Sequence, residues 1–274
     1  MNITLKHWTR LGFGAAIAGG TLAACGNPDP TSSETEVQIT APEPPVVSTE
    51  ASEGGEGEGG IAISQAATDP VVFLSAIAIT EAHIIAARDA HALGENDAAA
   101  EMFAHPVSEV LFDMQPVFAQ LGVTDFSDML TDTSAAIFAG ETPEQINQRA
   151  DGIIAALRDA AEKAPSTTAS DASVAAGVVV DQIERAADMY RIALESDAYE
   201  PYLDGYGFYK AGETVFLESA DIIAAEDQGA AAAITDAFAK LEAAYPSALR
   251  PGTLDADLPT LTVAASTAVL AVQN

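Results

Sequence analysis

The chain has 274 residues, of which 11 are basic and 41 acidic, giving a formal charge of −30 with a single cysteine. That balance excludes nucleic acid as a partner, because phosphate binding needs a basic footprint, and it suits cations or basic protein surfaces instead. One cysteine also excludes an intramolecular disulfide.

At the N-terminus, Lys6 and Arg10 precede an apolar, small-residue run from Leu11 to Ala24. This is the order of a secretory signal peptide over residues 1–24, and the run is shorter than the roughly 20 residues that span a bilayer as a helix. Leu22-Ala23-Ala24-Cys25 resembles the lipobox of bacterial lipoproteins. The resemblance implies that the Cys25 thiol receives a diacylglyceryl group, that the signal is cut before it and that the new amine is acylated. The partner so implied is a lipid bilayer, held through more than one chain and therefore stably. Gly26 and Asn27 stand where inner-membrane lipoproteins often carry aspartate, so the expected location is the cell envelope at the periplasmic face of the outer membrane. Loss of Lys6 and Arg10 with the signal takes the charge to −32.

From Gly26 to Gly60 there are eight acidic residues, no Lys or Arg, and five prolines. Such a segment buries too little apolar surface to offset its ordering entropy, so residues 25–60 read as lipidated Cys25 and a disordered acidic linker.

Residues 61–274 read as an all-α domain. Alanine is abundant and apolar residues recur at spacings of three and four rather than two. Asp69-Pro70 is a cap followed by a first-turn proline and opens a helix to about Leu93, where Gly94 takes the left-handed stop. Asn96 or Asp97 caps the next, which runs to about Leu121, with Pro106 expected to kink it around His105. Asp125 starts a short helix ending before Gly140, and Thr142-Pro143-Glu144-Gln145 carries a capping-box glutamine for a helix to about Lys163. A break from Pro165 to Ser170 precedes helices at about 171–196, 199–226, 229–244 and 259–272. These about eight helices suggest two antiparallel four-helix bundles or one irregular bundle, with a candidate split of the domain into halves near 165–170.

The chain beyond the signal has three histidines, His83, His91 and His105. If Gly94 centres a turn between antiparallel helices, His83 and His105 are equidistant from it and face each other, and Glu109 lies one turn beyond His105. Two imidazoles and a carboxylate converging in a helical bundle are a common way to hold a transition metal, so His83, His105 and Glu109 are the candidate ligands of an iron, copper or zinc ion. His91 falls at a different angle and is expected to face solvent or cap carbonyls. Asp181, Glu184 and Asp188 align on one helical face, and Arg185 and Arg191 are placed to neutralise it, as on a solvated surface. Tyr202, Tyr206 and Tyr209 share a face beside Asp204, Gly205 and Gly207. The glycines permit close helix approach, and the rings are expected chiefly to pack, with phenols bonding buried carboxylates; a hard-cation site and a stacking floor for a ligand are the other readings.

Glu81-Ala82-His83, Asp89-Ala90-His91, Ala104-His105-Pro106 with Glu109, and Glu200 to Phe208 together resemble periplasmic helical proteins of the imelysin-like, iron-transport-associated kind. The likeness covers residues 69–245 loosely. It implies a secreted or lipid-anchored helical bundle linked to iron uptake, with an envelope transport protein as possible partner; some members are described as peptidases. Phe103 stands where the group's Gly-x-His-x-x-Glu motif has glycine, and the carboxylate follows His105 by four residues rather than three. The chain has no His-Glu-x-x-His string, no Gly-x-Ser-x-Gly and no glycine-rich phosphate loop, so no enzyme activity is expected. The leading expectation is a metal-binding accessory lipoprotein; the alternative is a structural or protein-interaction envelope lipoprotein that binds no metal.

Overall fold

The computed structural model describes residues 60–273; the expected signal peptide, Cys25 and the linker up to residue 59 lie outside the described residues. The described chain is helical and contains no β-strand. Its elements are α1 (Ile63–Ala66), α2 (Pro70–Ala92), α3 (Asn96–Pro106), a π-helical turn (Val107–Leu111), α4 (Phe112–Leu121), α5 (Ser127–Phe138), α6 (Pro143–Ala161), α7 (Asp171–Glu195), α8 (Glu200–Glu226), α9 (Gln228–Ala244) and α10 (Leu258–Val272).

Local chemistry accounts for the boundaries. Asp69 accepts from the Val71 amide ahead of Pro70, and Gly94 takes a φ of 89° after α2. Thr142 and Gln145 form a reciprocal capping box at α6, Ser170 caps α7, and Asp227 accepts from both Gly229 and Ala230 at α9. One expected cap is not used. Neither Asn96 nor Asp97 caps α3, whose first helical residue is Asn96 itself, because the Asn96 side-chain oxygen accepts instead from His91 Nδ1 at 2.8 Å. The interior proline, Pro106, has no N–H to give, and the chain answers with a π-helical turn over the next five residues in which the Phe112 amide bonds the Val107 carbonyl.

The core is organised around α2, which packs against α3 and α6 from the first half of the domain and against α7 and α8 from the second. One cluster of buried side chains runs from Ile61 to Ala268 through both halves. By length and hydropathy α2 would cross a membrane, but 83% of its apolar window is buried inside the domain, which is how a core helix reads. Burying Phe73 and the α3 side chain Phe103 completely removes apolar surface worth about 1.5–3 kcal/mol each from water. Alanines fill much of the remaining interior, so helix backbones come close.

Two glycines of α8 make the closest of these approaches. A Cβ at Gly207 would lie 2.4 Å from the Ala82 carbonyl oxygen of α2, and one at Gly205 would lie 1.9 Å from the Tyr245 hydroxyl, which donates to the Ala186 carbonyl. Only hydrogen fits at either place. Gly207→Ala therefore forces α8 away from α2 and is expected to lower unfolding free energy by about 2 kcal/mol or more. Gly94→Ala meets nothing within 4 Å and carries only left-handed backbone strain, about 1 kcal/mol. Urea denaturation of the two variants measures the difference, and equal losses would remove the close-approach argument.

Candidate metal centre

The turn at Gly94 folds α3 back along α2, and His83 and His105 face each other across it, with ring centroids 6.2 Å apart and planes at 73°. His83 is buried, and its Nδ1 lies 2.8 Å from the carbonyl of Ile79 one turn back. A carbonyl only accepts, so Nδ1 carries the proton and Nε2 presents a bare lone pair in the neutral ring. Burial holds the His83 pKa below its ordinary value, only partly offset by the Ile79 bond and the nearby Glu109, so the neutral ring is the favoured form. Phe208 of α8 packs edge-on to the ring, with centroids 5.9 Å apart.

Two carboxylates meet that lone pair. Glu109 Oε2 is 3.6 Å from His83 Nε2 and Asp204 Oδ1 of α8 is 3.7 Å away. Glu109 also reaches His105, Oε1 to Nδ1 at 3.8 Å, and Glu200 at the start of α8 stands 3.9 Å from the same nitrogen. Glu109 lies within the π-helical turn that follows Pro106, four residues after His105. The tightest group is His83, His105 and Asp204, whose ligand-type atoms all lie within 4.8 Å of one another.

Sequence reasoning placed the two imidazoles and Glu109 together and missed Asp204 and Glu200. The available signal was a carboxylate one turn before Gly207, on the helix that two glycines bring close to its neighbours. His91 is corrected: it is buried rather than solvent-facing, and Nδ1 is engaged by Asn96, because α2 is enclosed on nearly every side. The tyrosines are buried packing residues whose phenols diverge, Tyr202 to the Ser247 carbonyl, Tyr206 to Asp89 and Tyr209 to Glu213. They supply neither a converging phenolate set nor an exposed stacking floor. Asp181 and Asp188 are paired with Arg185 and Arg191, as a solvated face requires.

The centre carries an electrostatic deficit. Asp204 Oδ1 is shut off from solvent and has no hydrogen-bond partner among the described residues. Separations of 3.6–3.9 Å are too long for hydrogen bonds. They are slightly wider than the roughly 3–3.6 Å between neighbouring ligand atoms around an ion bound at about 2.0–2.2 Å. The triad His83, His105 and Asp204 spans up to 4.8 Å, so its atoms would close by about 1 Å or more to form a coordination shell. Nitrogen and carboxylate donors in this mix suit iron, zinc or copper(II) better than calcium or magnesium. The Ile79 carbonyl then holds the first imidazole in the orientation and tautomer a ligand needs.

Comparison with protein-family models, with curated proteins and with solved structures gives no match, so function is argued from this geometry.

Burial pushes the Asp204 carboxyl up to about 7, with Glu200 and Glu109 acting in the same direction and His105 opposing. A raised carboxyl pKa favours the neutral acid in the fold, so in metal-free protein this group's contribution to stability declines as pH rises from about 4 to about 7. Asp204→Asn removes that decline. After chelator treatment the variant is expected to unfold at higher urea than its parent at pH 8 and at nearly the same urea at pH 4; an equal difference at both pH values would contradict the burial of this charge.

Proposed function

We propose that this protein is a lipid-anchored envelope protein whose helical domain binds one transition-metal ion as a non-enzymatic accessory to metal uptake or handling. His83 Nε2, His105 and Asp204 are its ligands, with Glu109 completing the shell and Glu200 at its edge. The observation that carries this reading is the buried meeting of His83 Nε2, a lone pair with its proton on the far nitrogen, and Asp204 Oδ1, an oxygen without a donor. Two such acceptors 3.7 Å apart repel when Asp204 is ionised, and either a proton on the carboxyl, favoured below about pH 7 in the metal-free fold, or a cation between them relieves it. The strongly acidic chain favours the same outcome at longer range, raising the local concentration of cations. Resemblance to iron-associated helical proteins makes iron the first metal to test.

Elemental analysis and calorimetric titration of the full chain purified in detergent should find one equivalent of iron, zinc or copper bound. His83→Ala and Asp204→Ala should each weaken binding by at least about 100-fold, beyond the cost typical of outer-shell changes. Protein that carries no metal, takes up none on titration and melts identically with and without chelator would leave an interaction protein instead.

The anchor is tested separately. Cys25→Ser is expected to abolish incorporation of labelled fatty acid and to move the protein from the membrane to the soluble periplasmic fraction, as loss of stable acyl anchoring requires. Unchanged membrane retention would overturn the lipoprotein reading and leave the metal reading untouched.

A further inference from the structure

On another face of α2 lies a cleft of about 520 Å³, bounded by α2, the end of α6, the segment 162–170, α7 and α8. Its size falls within the range of sites that enclose small organic ligands. The walls are apolar, contributed by Leu74, Ile77, Pro165, Val174, Val178 and Val215. At one end sits Glu81, whose side chain is only 4% exposed, accepting from Arg158 Nη2 at 2.8 Å. Glu218 lies 3.8 Å from the same guanidinium nitrogen and is solvent-exposed.

A buried carboxylate at the end of an apolar cleft calls for an explanation. Glu81 is buried while Arg158 is half-exposed, and an apolar side chain of similar volume in place of the buried carboxylate would stabilise the fold at least as well, so stability alone does not account for Glu81. Together they neutralise each other and still offer hydrogen bonds. Glu81 Oε2 accepts no hydrogen bond among the described residues, and the guanidinium has donors beyond the one given to Glu81.

We propose that this cleft binds a small uncharged amphiphile, an apolar chain or ring system whose alcohol or amide head donates to Glu81 and accepts from Arg158. Charge decides the class. An anionic head would add a third negative group beside Glu81 and Glu218 around one arginine, on a chain that is already strongly acidic. A cationic head would meet the guanidinium at the buried end, where Glu81 is already paired, while the remaining carboxylates of the lining, Glu218 and Asp171, are solvent-exposed and screened. A neutral head that both donates and accepts satisfies the pair without separating it, while its apolar body covers the valine and leucine walls. Glu81 and His83 stand two residues apart on α2 and so project toward different faces, which makes this site independent of the metal centre.

The test uses the unacylated chain, Cys25→Ser and lacking residues 1–24, in detergent-free buffer, with decanamide, decanoate and decylamine as probes of equal length. Calorimetry and thermal melts are expected to show saturable binding of one decanamide and a raised melting temperature, with the two charged probes weaker by about tenfold or more. Glu81→Gln leaves Arg158 without its buried partner, and its preference is expected to shift toward decanoate. Ala175→Trp fills the cleft from a half-buried position on α7 and should abolish decanamide binding while the domain still melts cooperatively. Should that variant not fold, Val215→Trp fills the same space from α8. The proposal is overturned if decanamide shows no saturable binding, if its binding survives the filled cleft, if decanoate or decylamine binds the parent as tightly, or if Glu81→Gln leaves the preference unchanged.

Discussion

The placement of the candidate metal centre depends on how closely α8 can approach α2. At Gly207 the two backbones meet with no room for a β-carbon, against the carbonyl of Ala82. His83 follows Ala82 immediately, and Asp204 precedes Gly207 by about one helical turn. The same contact that sets the helix spacing therefore sets the distance between an imidazole and a carboxylate 121 positions apart in sequence. Side chains at such a crossing usually interlock and keep helix axes 8–10 Å apart. Here glycine at one helix and alanines on the other remove that spacer, and Asp204 reaches a ring that is otherwise enclosed by α3 and Phe208. Tyr245 fixes the neighbouring part of α8 by occupying the space at Gly205 and bonding α7 through Ala186.

The second constraint is Pro106. A proline in mid-helix withholds one backbone donor, and a regular α-helix would leave the carbonyl one turn earlier without its partner. The π-helical turn after it spreads the disruption over residues 107–111 and re-aims the side chains beyond. Glu109 sits within that turn and His105 just before it, so the irregular backbone lies where the carboxylate must reach both imidazoles. Such turns are often found at functional sites for this reason, since an extra residue changes the direction of a side chain without breaking the helix.

Helix positions were legible because their signals are local. Asp69-Pro70, Thr142 with Gln145, and Gly94 each act within one turn of chain, and all three sit where the structure uses them. The pairing of His83 with His105 was legible for a related reason: a short turn between antiparallel helices makes distance from the turn a coordinate. Asp204 was not, because its place depends on a contact between helices far apart in sequence, for which alternation and caps carry no information. His91 was misplaced for a different reason. Its position was inferred from helical angle, but α2 has no wide polar face, so angle does not separate inside from outside on that helix. The Asn96 cap failed with it, since the oxygen expected at the backbone is bonded to the imidazole.

The two buried ionisable groups on α2 face the same physical difficulty and meet it differently. Glu81 is enclosed by apolar surface, and burial raises its pKa even though Arg158 is in direct contact, which shows that desolvation outweighs the Coulomb attraction of a half-exposed partner. Its charge is nonetheless matched within the chain. At His83 the groups that crowd the ring are a second imidazole, two carboxylates and a phenyl edge. Acceptors outnumber donors there, and at His83 and Asp204 Oδ1 the deficit lies where water is excluded and electrostatic interactions are strong. Arg185 acts on His83 only at longer range, paired with Asp181 and lying over the Phe208 ring, so a cation held between the candidate ligand atoms would relieve the deficit, whereas at Glu81 the chain has already supplied a charge in direct contact. That difference in internal charge matching is the physical reason for assigning a cation to the first site and an uncharged ligand to the second.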